Sequence, residues 1–278
     1  MKKWILLALL APALGCATGG EPDIATLASN SDQVIWEAGQ KAFEKKQWEN
    51  ARQHFRRIID GFPNSEYGPP ARLALADSHF KEGGVANYVL AAGAYREFLT
   101  FFPSHPRSDY AQFQVGESFF KHRNGPDRDQ SATISAMEEF QKVIDFYPSS
   151  PHVEQARARV AECRHNLARA EFLAGYFYQR TREAHRAAIT RYEGILRDYP
   201  EYRRLDEVLY RLAEALAKTG RTGEALPHLD RLIREYPSSE YAEGARKLMA
   251  ELQNAPPAPA PPEQPAPSPS PSPASPLP

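Results

Sequence analysis

An aromatic residue followed by proline recurs five times along this chain, as Phe62-Pro63, Phe102-Pro103, Tyr147-Pro148, Tyr199-Pro200 and Tyr236-Pro237. The prolines are 40, 45, 52 and 37 residues apart. Upstream of each lies one register, a small residue 12 positions back and a large apolar one 8 back: Ala51/Phe55, Ala91/Tyr95, Ala136/Phe140, Ala188/Tyr192 and Ala225/Leu229. A separation of four places both on one face of a helix. Proline then stops that helix, because it lacks a backbone donor and biases its predecessor away from helical dihedrals. One such unit cannot bury its own apolar face, so five copies constrain the fold to a stack of helices held by neighbours.

The register resembles the second helix of the tetratricopeptide repeat (TPR). In repeat one the match extends to the first helix, through Gly39 and Ala42, and in repeat five through Leu212, Ala213 and Leu216. Repeats two and three carry extra residues between their helices, at 82–89 and 123–131. Repeat four opens with a long helix over 151–180, and a last helix over 241–253 closes the array. The fold class expected is all-α, a TPR-like α-solenoid of five helix pairs plus a C-terminal capping helix over residues 30–254. It has about eleven helices, a right-handed superhelical path with one concave face, and almost no strand. The runs Asn64-Ser65-Glu66-Tyr67 and Ser238-Ser239-Glu240-Tyr241 read as N-caps opening the next helix.

The two ends have different chemistry. Lys2 and Lys3 precede an apolar stretch over 4–14, far short of the ~20 residues a spanning helix needs, so residues 1–15 read as a signal peptide. It ends in Ala13-Leu14-Gly15-Cys16, which resembles the lipobox of bacterial lipoproteins. That resemblance implies cleavage before Cys16 and lipidation of Cys16 by a thioether-linked diacylglycerol and an amide-linked acyl chain. Ala11-Pro12-Ala13 offers the other reading, an ordinary cleavage site releasing a soluble protein. Ala17, rather than an inner-membrane retention Asp, follows Cys16. Lipidation therefore points to the periplasmic face of the outer membrane, with residues 16–29 as a flexible tether. Residues 255–278 hold 12 of the 25 prolines and read as a disordered Pro-rich tail, reaching about 75 Å at ~3.1 Å per residue.

Composition excludes several functions. Without Lys2 and Lys3 the chain has 32 basic against 35 acidic groups, which is not a nucleic-acid-binding balance. With Cys16 modified, Cys163 has no disulfide partner, and its place in a helical apolar pattern reads as a small buried hydrophobe. The eight histidines lack paired ligand spacing, Cys163-x-His165 alone is a weak metal motif, and the histidines read as solvated or capping. Glu138 and Glu139 read as ordinary surface carboxylates, and most of the aromatics as repeat-core packing. No catalytic, metal or cofactor motif is present, so the chain reads as an interaction scaffold and not an enzyme.

Several stretches are more specific than the generic repeat: Asp127-Arg128-Asp129 ahead of a helix, His105-Pro106-x-x-Asp109-Tyr110, and Arg191-Tyr192-Glu193-Gly194-Ile195-Leu196-Arg197-Asp198-Tyr199-Pro200. An aromatic-rich helix over 171–178 leads into the last run. With these, residues 30–253 resemble the BamD family, a lipoprotein component of the outer-membrane β-barrel assembly machinery. The proline tail departs from that family. The resemblance implies a scaffold that holds the periplasmic POTRA modules of a BamA-like barrel protein through its carboxy-terminal repeats. It also implies a groove in the amino-terminal repeats for unfolded outer-membrane proteins, and contact with other assembly lipoproteins. Carried over residue by residue, Arg191, Glu193, Arg197, Asp127, Arg128 and Asp129 are candidate partner contacts, and Tyr67 a candidate for the substrate groove. Arg191 has a second reading as a surface arginine on a packed helix, and Tyr67 as a core or capping aromatic. The alternative function is a TPR lipoprotein scaffold for another envelope machine, a pilus pilotin or a cell-wall synthesis coordinator. Plain 34-residue repeats would favour it, and the long insertions and the D-R-D segment do not. A lytic transglycosylase would need a catalytic domain for which no residues remain.

Overall fold

A computed structural model of the chain describes residues 31–254, so the assignments of residues 1–15, 16–29 and 255–278 lie outside the described residues. Eleven helices follow one another: α1 (Asp32–Glu44), α2 (Trp48–Gly61), α3 (Gly68–Glu82), α4 (Val85–Phe101), α5 (Ser108–Lys121), α6 (Ser131–Phe146), α7 (Val153–Arg180), α8 (His185–Asp198), α9 (Leu205–Lys218), α10 (Thr222–Glu235) and α11 (Ala242–Asn254). They form five helix pairs and a closing helix, with no strand among the described residues.

The five-fold register is the packing register. Ala51, Ala91, Ala136, Ala188 and Ala225 are fully buried, as are Phe55, Tyr95, Phe140, Tyr192 and Leu229. A third position, five residues before each proline, is buried just as completely: Ile58, Phe98, Val143, Ile195 and Leu232. Positions i, i+4 and i+7 make one stripe. The same third residue receives the terminating bond, since the aromatic N–H of Phe62, Phe102, Tyr147, Tyr199 and Tyr236 donates to the carbonyls of Ile58, Phe98, Val143, Ile195 and Leu232. Phe62, Phe102, Tyr199 and Tyr236 share one conformation, with φ between −134° and −129° and ψ between 55° and 67°. The following proline excludes helical dihedrals there.

The small residues of the first helices admit this stripe. A Cβ on Gly39 of α1 would lie 2.7 Å from Cε1 of Phe55, and one on Gly175 of α7 would lie 2.7 Å from Cε1 of Tyr192. Only glycine lets the ring reach the helix backbone at these points. The Phe55 ring has little room to retreat, with Trp36 at 5.6 Å and Phe43 at 6.5 Å between centroids. Overpacking costs about 1–3 kcal/mol, against about 0.5–1 kcal/mol gained in helix propensity. Gly39→Ala is expected to lose roughly 1 kcal/mol net, measured as a lower urea midpoint. An unchanged midpoint would mean that the ring shifts freely.

Three details differ from the sequence expectation. The residues over 82–89 do not form a loop: only Gly83 and Gly84, at φ 78° and 88°, separate α3 from α4, and the rest lengthens α4 to 17 residues. Two consecutive left-handed glycines turn the chain in the least space. The serine runs do not supply the N-cap side chain, because α3 is capped at Tyr67. Instead the Ser65 hydroxyl accepts the Tyr67 N–H (3.0 Å) and donates to Asp32 at the start of α1 (2.5 Å). Ser239 repeats this with Tyr241 and Asp206, and Ser150 with His152 and Asp109. The serine ties the start of one pair to the start of the next. Finally, Glu139 is 4 % exposed and His54 and His79 are also buried, so these are packed polar groups rather than surface ones. Desolvation pushes both imidazoles down from the ordinary histidine range, which keeps them neutral inside the packing. Cys163 is fully buried, as its helical pattern requires.

The chain divides into two compact units, one of residues 31–122 and 142–153, the other of 123–141 and 154–254. In the first, Ile35, Phe55 and Ile58 make one core and Leu73, Tyr95, Phe98 and Val115 the next. In the second, a continuous core runs from Phe172 through Tyr192, Leu209, Leu212 and Leu229 to Ala245.

Candidate functional site

The run over 191–200 forms most of α8 and its stop, and it builds an open groove of about 580 Å³ in the second unit. Each residue advances ~100° around the helix axis. Tyr192 and Ile195 therefore point into the core, while Ala187, Thr190 and Gly194 face outward as a floor of small side chains. Arg191 and Arg197 stand about 120° apart around the helix axis, one on each side of that floor. Glu171 and Tyr178 of α7 and Asp198 and Tyr199 at the end of α8 complete the lining.

Both arginines are held but not covered. The Arg191 guanidinium donates to Glu171 at 2.8 Å, with the two side chains 44 % and 38 % exposed. That hydrogen bond and the carboxylate's charge push Arg191 further up from its ordinary value, so it is a permanent cation. Arg197 donates through two nitrogens to Asp198, at 2.9 and 2.8 Å. In return the arginine holds the Asp198 carboxyl below the usual range. Burial pushes the Tyr199 phenol up, so it meets a ligand as a neutral O–H. The groove thus offers two guanidinium forks, each paired with a carboxylate, together with three hydroxyls and a floor of small side chains. This suits a protein surface carrying carboxylates and backbone carbonyls. Gly194 has nothing within 4 Å of where a Cβ would stand. A glycine inside a helix weakens it by about 1 kcal/mol relative to alanine, and the packing around half-buried Gly194 explains nothing of its presence.

The other sequence candidates fall elsewhere. Glu193 lies beyond the Arg197 wall and pairs at 3.7 Å with Arg221, outside the groove lining. Asp127, Arg128 and Asp129 lie exposed in the loop between α5 and α6. Asp129 has a structural task there, accepting the N–H and hydroxyl of Ser131 at the first residue of α6 (3.2 and 2.9 Å). Asp127 and Arg128 make no ion pair among the described residues. The D-R-D segment and the α8 run make no hydrogen bond or ion pair with each other. Tyr67, in the first unit, is half-buried and stacks on Trp36 at 5.8 Å and 24°. Desolvation, aided by the charges of Glu66, Asp32 and Glu37, pushes its phenol up. Sequence pattern alone does not single out Thr190 or Glu171 as a site residue. Thr190 precedes the motif run, and Glu171 is 20 positions from Arg191. In a depression of about 670 Å³ on the other side of Tyr199, Arg164 pairs with Glu201 and donates to the Asp198 carbonyl. Among the described residues no group of His, Cys, Asp and Glu is placed to hold a metal ion.

Comparison with known proteins gives this groove a context. The family model described as "YfiO: Outer membrane lipoprotein" matches residues 28–225, which include the groove and both other candidate segments. Among curated proteins, the outer membrane protein assembly factor BamD of Rickettsia prowazekii is 27% identical over 221 residues, covering 80% of this chain and 86% of the relative. BamD of Haemophilus influenzae is 28% identical over 235 residues, covering 81% and 87%. BamD of Caulobacter vibrioides is 23% identical over 239 residues, covering 86% and 77%. Among solved structures, the TPR2AB-domain:pHSP90 complex of yeast Sti1 is 14% identical, covers 80% of this chain and 98% of that one, and superposes with a TM-score of only 0.37. With a family model spanning well over half of its length, the chain belongs to the YfiO family of outer membrane lipoproteins, the BamD family.

Proposed function

We propose that this chain is a lipid-anchored periplasmic scaffold for the assembly of outer-membrane proteins. It is held at the outer membrane through Cys16, acts by binding, and carries no catalytic site. The observation that supports this most is the groove of α8, where the run that closely follows the BamD pattern is also the run whose exposed face presents two arginine–carboxylate pairs over an unpacked glycine. The partner chemistry is a folded surface bearing carboxylates, and the POTRA modules of a BamA-like barrel protein are the partner the family suggests. Unfolded outer-membrane proteins are the proposed substrates of the first unit, where Tyr67 and Trp36 form a stacked aromatic pair. Asp127 and Arg128 are exposed enough to touch a further assembly lipoprotein.

The test is capture followed by titration. The full chain, purified in mild detergent, is expected to bring down a barrel protein with POTRA modules, and failure to do so would remove the assembly role. Arg191→Glu is then expected to weaken binding to isolated POTRA modules by tenfold or more. Removing one member of a desolvated pair costs about 2–5 kcal/mol, and each decade of affinity is about 1.4 kcal/mol. The fold should tolerate the change, because an ion pair as exposed as Arg191–Glu171 contributes at most about 1 kcal/mol. Unchanged affinity with intact helicity on circular dichroism would place Arg191 outside the interface.

A further inference from the structure

Two aromatic side chains of the first unit are left in solvent at equivalent places. Phe101 is 58% exposed and Phe146 is 72% exposed, each immediately before the aromatic of an aromatic-proline pair. The corresponding residues of the other pairs are Gly61, Asp198 and Glu235. A large apolar residue thus stands where the rest of the repeat uses glycine or a carboxylate, and the core register does not call for it. The loops that follow are poor in charge. Residues 102–108 carry only Arg107 and residues 147–152 no Asp, Glu, Lys or Arg, the remainder being aromatic, proline, serine and histidine.

Contacts tie these loops into one margin of the unit. Asp109 accepts the Ser150 hydroxyl at 2.7 Å, and Phe146, Pro148, Pro151, His105 and Pro106 border one shallow depression. Arg72 of α3 lies 4.4 Å over the Phe101 ring. The same margin carries the start of the described chain, because the Ser65 hydroxyl in the loop before α3 donates to Asp32 at the head of α1. Residues 17–30, joining Cys16 to Ser31, span at most about 50 Å. The described chain therefore begins on the side on which the exposed aromatics stand.

We infer that this margin lies against the bilayer, with Phe101 and Phe146 seated at the level of the lipid headgroups. The inference rests on the lipid anchor of the proposed function and adds an orientation to it. Aromatic side chains favour the membrane–water interface, where an apolar ring is accommodated beside polar headgroups. Serines and prolines can approach the headgroups without burying a charge, and Arg107 at the rim suits anionic phosphates, whereas Arg72 is paired with Glu97 at 2.5 Å. No helix among the described residues is long and apolar enough to cross a membrane, so contact is confined to the interface.

The experiment uses the full lipidated chain in vesicles of phosphatidylethanolamine and phosphatidylglycerol. A nitroxide is attached in turn to Ser104→Cys, Ser149→Cys and Lys45→Cys. The first two positions are exposed on the margin, and the third is exposed in the turn at the far end of α1. Cys163 is buried and does not compete for label. The labels at 104 and 149 are expected to lose relaxation by an aqueous nickel chelate and gain it from oxygen, while the label at 45 stays aqueous. The double variant Phe101→Ser, Phe146→Ser should return both margin labels to water with flotation and circular dichroism unchanged. If the chain floats with the vesicles but labels 104 and 149 behave like label 45, the orientation is wrong and the anchor stands. If they are shielded from both oxygen and nickel, another protein surface covers them and the proposal fails. If the chain does not float, the anchor itself is refuted and the orientation falls with it.

Discussion

Tyr192→Ala is expected to cost about 3–5 kcal/mol of stability, the largest effect of any single core substitution on α8. Tyr192 is fully buried. Its ring lies against the bare backbone of α7 at Gly175 and 5.8 Å from the Phe172 ring. Truncation leaves a void that the helices can close only by moving apart from their register. Its phenol donates to Oε1 of Gln179 at 2.9 Å, and Gln179 is itself 5% exposed, so the truncation also strands a buried acceptor, a further penalty of about 1–3 kcal/mol. Tyr192→Phe separates the two terms, since it keeps the ring and should lose only the hydrogen-bond part. Because each pair is stabilised by its neighbours, the loss in repeat four should spread through the core shared by α7 to α11. Urea unfolding followed by circular dichroism reads both variants. A loss below about 1 kcal/mol for Tyr192→Ala would mean that the fourth pair is not packed through this ring.

The second helix of every pair was legible in the sequence because proline fixes its end. With the end fixed, positions 12 and 8 residues back had to fall on one stripe, and they are buried in all five copies. The first helices were less legible. Their distance from the proline changes with the link between helices, which is three residues between α1 and α2 and nine between α5 and α6. Gly39 could be read in repeat one, whereas Gly175, with the same task against Tyr192, lay in a helix of 28 residues that offered no such marker. At the groove, helical periodicity places Arg191 off the packed stripe. It does not place Glu193 with it, because two residues along a helix turn by ~200°. Polar residues on packed faces were the main misreading. Glu139 and the histidines at 54 and 79 have the composition of a surface, and only the three-dimensional neighbours determine that they are enclosed. Phe101 and Phe146 are the opposite case, large apolar residues that precede the stripe's closing aromatic and stand exposed.

Cys16→Ser is expected to abolish membrane attachment, the largest effect predicted for any residue of this chain. The modification implied at Cys16 carries three acyl chains, and each buried methylene contributes ~0.8 kcal/mol. A single myristoyl chain binds only marginally and reversibly, so three make release immeasurably slow and none leaves nothing of comparable strength. Two aromatic side chains at the loop margin bury far less apolar surface than one acyl chain, and dilution should free a protein held by them alone. The variant should therefore incorporate no labelled palmitate, keep its signal segment or be misprocessed, and leave the membrane fraction after a high-salt wash. Serine is nearly isosteric with cysteine, so the fold over residues 31–254 should give an unchanged circular dichroism spectrum. The reading in which Ala11-Pro12-Ala13 is an ordinary cleavage site makes the opposite forecast. There the parent chain is already soluble, its amino terminus is Leu14, and replacing Cys16 changes nothing. Mass spectrometry of the mature amino terminus separates the two directly. A Cys16→Ser variant that still floats with outer membrane would show that the attachment runs through the protein surface instead of the lipid.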